Sequence, residues 1–153
     1  MRTRKSGPPS VVPSEALREG AAILESVLVP LGFQFRFGGD GKGSGGTYAW
    51  GDFARGDRRL EIQFRHSLGL VRYHLGTVSA SHDSYMTELG VREKCKYPGY
   101  SDDFRDAFRD LAHDLSFAQD FLIGTGNALE QAAVREEKAM KPWPPVGSPK
   151  KVK

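Results

Sequence analysis

The chain predicts an α+β fold, an N-terminal helix, a four-stranded antiparallel meander and then C-terminal helices packed on one sheet face. Apolar residues recur at helical spacing near both ends. Between them lie four short runs rich in aromatic and β-branched residues, separated by glycine-containing turns. Because the strands are grouped together instead of alternating with helices, an antiparallel sheet is expected.

The first helix follows from Leu17, Ala21, Leu24, Val27 and Leu28, with Ser14 placed to cap it and Pro30 and Gly32 to end it. The strand runs are "FQFRF", "TYAWGDFA", "RRLEIQF" and "LVRYHLGTV". Next, "SHDSYMTELG" reads as a short helix with Ser81 as cap and Gly90 as stop, followed by the loop "REKCKYPGY". Phe104, Phe108, Leu111, Leu115 and Leu122 mark one stripe of a further helix, with Asp102 and Asp103 at its positive dipole end. "GTGN" interrupts it before a polar helix, "ALEQAAVREEKAM". The domain is expected over 14–140, between a basic tail at 1–13 and a Pro/Lys-rich tail at 141–153.

Strand registers can be tested because side chains alternate between faces. A turn at Gly56 and Asp57 sets Phe53 against Leu60, Gly51 against Ile62 and Ala49 against Phe64. An even loop after Phe64 sets it against Tyr73, and Ile62 against Leu75. If the glycine run closes the first hairpin, Phe35 meets Ala49 and Phe33 meets Gly51. The three turns agree on one continuous apolar face.

That glycine run, "GGDGKGSGG", contains Gly41, Gly43 and Gly46 at GxGxxG spacing. A dinucleotide fold needs a helix starting there, whereas aromatic "TYAW" follows, and there is no GK[ST] for a P-loop. The glycine-rich loop of protein kinases would need a downstream lysine strand and the HRD and DFG motifs, which are missing. The expectation is a flexible hairpin loop.

The opposite sheet face carries the functional argument. Gln34, Arg36, Tyr48, Trp50, Asp52, Glu61, Gln63, Arg65, Arg72 and His74 project there, with Tyr48 beside Arg36 and Arg65, Trp50 beside Gln63, and Arg65 directly opposite Arg72. Two like charges so placed require an anion: a carboxylate of the same face, one from a helix, or one from an external partner. Internal compensation is the plain reading. The functional one notes that Trp, Tyr and Arg are the types enriched at binding hot spots. The partner-binding set is thus Arg36, Tyr48, Trp50, Glu61, Arg65, Arg72 and His74, facing a protein with an acidic anchor. An alternative is a small hydrolase-like enzyme or anionic-ligand binder with Glu61 and His74 as acid and base and Arg65 and Arg72 holding the anion. A single-stranded nucleic-acid binder stacking bases on the aromatics comes third.

Charge counts against nucleic acid. The formal net charge is +3, but seven of the 22 basic residues lie in residues 1–5 and 141–153, and residues 6–140 carry 15 basic against 19 acidic groups, a net of −4. The single Cys95 has no second cysteine for a disulfide or zinc set, and reads as an idle thiol. No apolar run could span a bilayer and the start lacks an apolar signal core, so a cytoplasmic protein is expected. His66, His74, His82 and His113 have no metal-ligand spacing, so no metal or cofactor is expected. Arg55, Gly56 and Asp57 spell an adhesion tripeptide that a tight turn already explains. The aspartates between Asp102 and Asp120 read as a solvated helix face. No motif identifies a family. The size, the polar face and the lack of catalytic motifs suit a non-catalytic protein-binding module, such as a bacterial immunity or inhibitor protein that neutralises a toxin or enzyme; this rests on architectural analogy.

Overall fold

The computed structural model describes residues 11–44 and 46–139. The expected tails therefore fall largely outside the described residues. Helix α1 (Pro13–Leu28) starts with Pro13 in its first turn, where a missing N–H costs nothing, so Ser14 is not the cap. It buries Leu17, Ala21, Leu24 and Leu28, and the chain leaves it through a 3₁₀ turn, Val29–Leu31.

Five strands follow in an antiparallel meander of order β1-β2-β3-β4-β5: β1 (Gln34–Gly43), β2 (Gly46–Arg55), β3 (Arg58–Phe64), β4 (Leu68–Leu75) and β5 (Val78–Ser81). The sequence predicts four. The fifth arises because "LVRYHLGTV" is broken by a tight turn at Gly76, whose φ of 60° lies in the left-handed region. A run of good strand formers concealed a two-residue turn.

The core face is the expected one, although two of the three registers differ. β2 and β3 pair as predicted, Ala49 with Phe64, Gly51 with Ile62 and Phe53 with Leu60. Between β3 and β4 the partners are Leu60 with Tyr73 and Ile62 with Val71, not Phe64 with Tyr73 and Ile62 with Leu75. The chain turns earlier, with the Arg65 amide bonded to the Ser67 carbonyl (3.1 Å) and a bulge between Gln63 and Phe64. Between β1 and β2, Phe35 faces Phe53 and Phe37 faces Gly51, replacing the expected Phe35–Ala49 and Phe33–Gly51 pairs. Gly38, Gly39, Gly41 and Gly43 are not a loop. They continue β1 to Gly43, past a bulge at Gly38, so the hairpin is longer than predicted. Both shifts are even, which is why each side chain still reaches its predicted face.

Ala49, Phe53, Leu60, Ile62, Phe64, Tyr73 and Ala80 are fully buried beneath the helices, with Leu17, Leu24, Phe108 and Leu111 among their partners. α1 packs on α3 (Phe104–Asp114), and at their crossing Gly20 lies directly against the Phe108 ring. α2 (His82–Glu88) is capped by Ser81, whose Oγ accepts from the Ser84 amide (3.1 Å), as the sequence indicates. The expected continuous helix after Ser101 is instead α3, capped by Asp103, then a 3₁₀ turn at Leu115–Phe117 and α4 (Gln119–Leu122). α5 (Asn127–Ala139) starts over Asp120, whose carboxylate accepts from the Ala128 and Leu129 amides (3.3 and 3.1 Å) and from the Tyr85 hydroxyl (2.9 Å). It then runs alongside α2 and β5.

Candidate functional site

Two rows of the polar face run the full width of the sheet. The central row is Arg36, Asp52, Glu61, Arg72 and Ser81; beside it lie Gln34, Ala54, Arg59, His74 and Ser79. Asp52 faces Glu61, and each carboxylate has its own partner. The Arg36 guanidinium donates Nε and Nη2 to Asp52 (2.8 and 2.9 Å), and Arg59 Nη1 donates to the same carboxylate (3.0 Å). Burial alone would raise the Asp52 pKa; these bonds outweigh it and hold the group below the ordinary 3.8. Glu61 Oε1 lies 2.7 Å from His74 Nε2, so the two residues proposed as an acid–base pair do meet.

The expected Arg65–Arg72 opposition is absent, because the turn comes sooner than predicted. Arg72 faces Glu61 and has its counter-charge from a helix: it pairs with Glu136 of α5. Glu136 also accepts from the Ser81 amide (3.0 Å) and from Ser84 Oγ (2.8 Å). Burial opposes its ionisation, but these bonds and Arg72 dominate and lower its pKa from 4.5 to about 2. Glu136 thus fastens α5 to the outer edge of β5, where the free Ser81 amide would otherwise be an exposed ladder donor. The sequence placed Glu136 on a polar helix; nothing in its spacing told that it would reach Arg72.

Arg65 instead lies over the Tyr48 ring (5.2 Å to its centroid), and among the described residues no carboxylate pairs with it. Tyr48 is not beside Arg36; it crosses to Gly41. Trp50 pairs with Gln63 as expected, and its ring is 5.7 Å from that of Tyr48. The two aromatics explain Gly38, Gly39 and Gly41. A Cβ added at Gly38 would run into the Trp50 indole, and one at Gly41 would come within 2.9 Å of the Tyr48 hydroxyl. The rings occupy the space that side chains on β1 would fill. Of the three GxGxxG positions, Gly41 lies under the Tyr48 ring and Gly46 takes a φ of 105°, in the left-handed region at the hairpin end; neither needs a phosphate. A hollow of about 400 Å³ opens between Trp50 and Arg36, Asp52, Arg59 and Glu61.

A second polar cluster, hidden from the sequence, lies in the core. The Tyr73 hydroxyl donates to His82 Nδ1 (2.8 Å), and His82 Nε2 donates to Asp114 Oδ2 (3.0 Å). Asp114 is fully buried and also accepts from the Lys96 and Tyr97 amides (2.8 and 2.9 Å) and from His113 Nδ1 (2.9 Å). Burial drives His82 below 6.5, so at neutral pH its Nδ1 is free to accept a hydrogen bond from the Tyr73 hydroxyl. The Asp114 pKa is lowered although burial opposes this, because its hydrogen bonds prevail. The ligating atoms of His82, Asp114 and Cys95 lie within 4.8 Å of one another. Both oxygens of Asp114 and both nitrogens of His82 are already engaged, and burial pushes the Cys95 thiol up to about 11, so it stays protonated at neutral pH. The cluster is a strut that ties the 95–97 loop to α2 and α3. Asp114 and Asp120, read from sequence as part of a solvated acidic face, are both structural.

Comparison with protein-family models, curated proteins and solved structures found no match. Among the described residues no helix is long and apolar enough to cross a membrane.

Proposed function

We propose that this protein is a non-catalytic protein-binding module that recognises its partner through the polar sheet face centred on Trp50 and Tyr48. The observation that carries this reading is the seating of both rings on the glycine backbone of β1. It leaves a backbone-supported aromatic surface bordered by Arg36 and Arg65, its two rings tilted by 32° and only partly buried. Rigid aromatics lose little entropy on binding, and with arginine they dominate interface energetics. A soluble partner-neutralising role of the immunity or inhibitor kind suits such a surface. Arg72 leaves the recognition set, since Glu136 satisfies it.

The Glu61–His74 contact of 2.7 Å favours one second reading, a small hydrolase-like activity with that pair as acid and base. No described serine, cysteine or threonine is hydrogen-bonded to His74, so the nucleophile such chemistry commonly uses has no place at the pair. The test is site-specific photo-crosslinking from a benzoylphenylalanine at Gln63, in the middle of the face, and at Arg135 on α5. A discrete adduct from Gln63 alone is expected. Adducts only from Arg135, or none, would remove the face from consideration, and turnover abolished by Glu61→Gln with folding intact would favour the enzyme.

A further inference from the structure

The sequence argument for an acidic anchor rested on Arg65 facing Arg72, a pairing the fold does not contain. The hydrogen-bond inventory of the hollow beside Trp50 supplies a different location. Arg36 and Arg59 converge on Asp52, which takes two N–H groups from the first and one from the second. The remaining N–H groups of these two guanidiniums have no acceptor among the described residues. The accessibilities are unequal in a telling way: the Arg36 side chain is 60% exposed and that of Arg59 37%, while Asp52 is only 13% exposed. An approaching group therefore meets donors first, with the neutralising carboxylate beneath them. Glu61, on the hollow's wall, has His74 as its own partner.

We infer that the hollow between Arg36, Arg59 and Trp50 is the seat of one carboxylate side chain, Asp or Glu, of a protein partner, with the apolar neighbours of that residue lying on the Trp50 and Tyr48 rings. This deepens the proposed function and rests on it. Guanidinium forks match a carboxylate in plane and spacing, and Asp52 holds both forks in position before binding. The site accepts a monoanion rather than a polyanion. Two fixed carboxylates, Asp52 and Glu61, lie beside the two arginines, and residues 6–140 carry a net charge of −4, so a run of phosphates would be repelled where a single acidic side chain is not.

The experiment pans a phage-displayed library of random linear peptides against the whole chain, with counter-selection on a Trp50→Ser variant shown to be folded by circular dichroism. Peptides retained only by the wild-type chain should share an Asp or Glu. In a synthetic peptide, changing that residue to Asn or Gln should weaken binding at least tenfold, as should Arg36→Gln in the protein. The two changes together should cost little more than either alone, which is the signature of direct contact. Arg36→Lys, which keeps the charge but not the fork, should retain only part of the affinity, and Arg135→Gln on α5 should change nothing. Face-specific peptides without a shared acid, or whose acid is dispensable, would overturn the carboxylate seat while leaving the sheet face as the binding surface. If no peptide distinguishes wild type from Trp50→Ser, both readings fall. Selective retention of single-stranded oligonucleotides by the same face, lost steeply with salt, would overturn the seat in favour of a polyanion.

Discussion

Asp114 shows how much one buried carboxylate can organise. Four donors from the 95–97 loop, α2 and α3 converge on it. Asp114→Ala should therefore cost about 3–5 kcal/mol, since each buried donor left without a partner costs about 1–3 kcal/mol, measured as a fall in the urea midpoint. Its partner His82 gives the cluster a pH dependence. Because the native state holds His82 below 6.5, the unfolded chain binds more protons in the interval beneath that value. Stability should be complete above about pH 7.5, fall as pH drops through 6.5, and level off below the native pKa of His82. Replacing the imidazole by the non-titrating His82→Gln should flatten that part of the profile. Nothing in the spacing of His82, Cys95 and Asp114 revealed this cluster, since its members lie on three elements joined only by tertiary packing.

Helix α5 was legible as a polar helix, but its attachment was not. It is held at its start by Asp120 and near its end by Glu136, which joins Arg72 of β4, the Ser81 amide of β5 and Ser84 of α2. Glu136→Gln should loosen the β5 edge, cost about 1–3 kcal/mol, and speed exchange of the Ser81 amide hydrogen. The carboxylate titrates near 2 in the native state against 4.5 ordinarily, so its contribution is present above pH 4.5 and disappears as pH falls toward 2. Glutamine should remove that part of the acid transition. The crossing of α1 and α3 offers a sharper steric test: Gly20→Ala places a methyl group against the Phe108 ring and should destabilise by about 1–3 kcal/mol, despite alanine's better helix propensity. The first hairpin is where local reading misled. Gly38, Gly39 and Gly41 look like loop residues until Tyr48 and Trp50, on the neighbouring strand, are laid across them.

The molecule as a whole is an α+β fold whose helices bury one side of a five-stranded meander and leave the other polar. The side each strand residue would face was readable, because the period of two survives any even shift in register: Phe53, Leu60, Ile62 and Tyr73 went inward, Arg36, Trp50, Glu61 and Arg72 outward. The pairings within the face were not, because loop length decides them, and an even shift removed the Arg65–Arg72 opposition. What the face retains is an aromatic pair beside arginines whose outer N–H groups have no acceptor among the described residues. The most direct measurement is quantitative capture from nuclease-treated extract of the source cells, comparing wild type with a Tyr48→Ser/Trp50→Ser variant of unchanged thermal midpoint. One protein should be retained stoichiometrically by the wild type and lost, by tenfold or more, with the variant. Equal capture by both chains would contradict this, since the aromatic face would then contribute nothing to recognition.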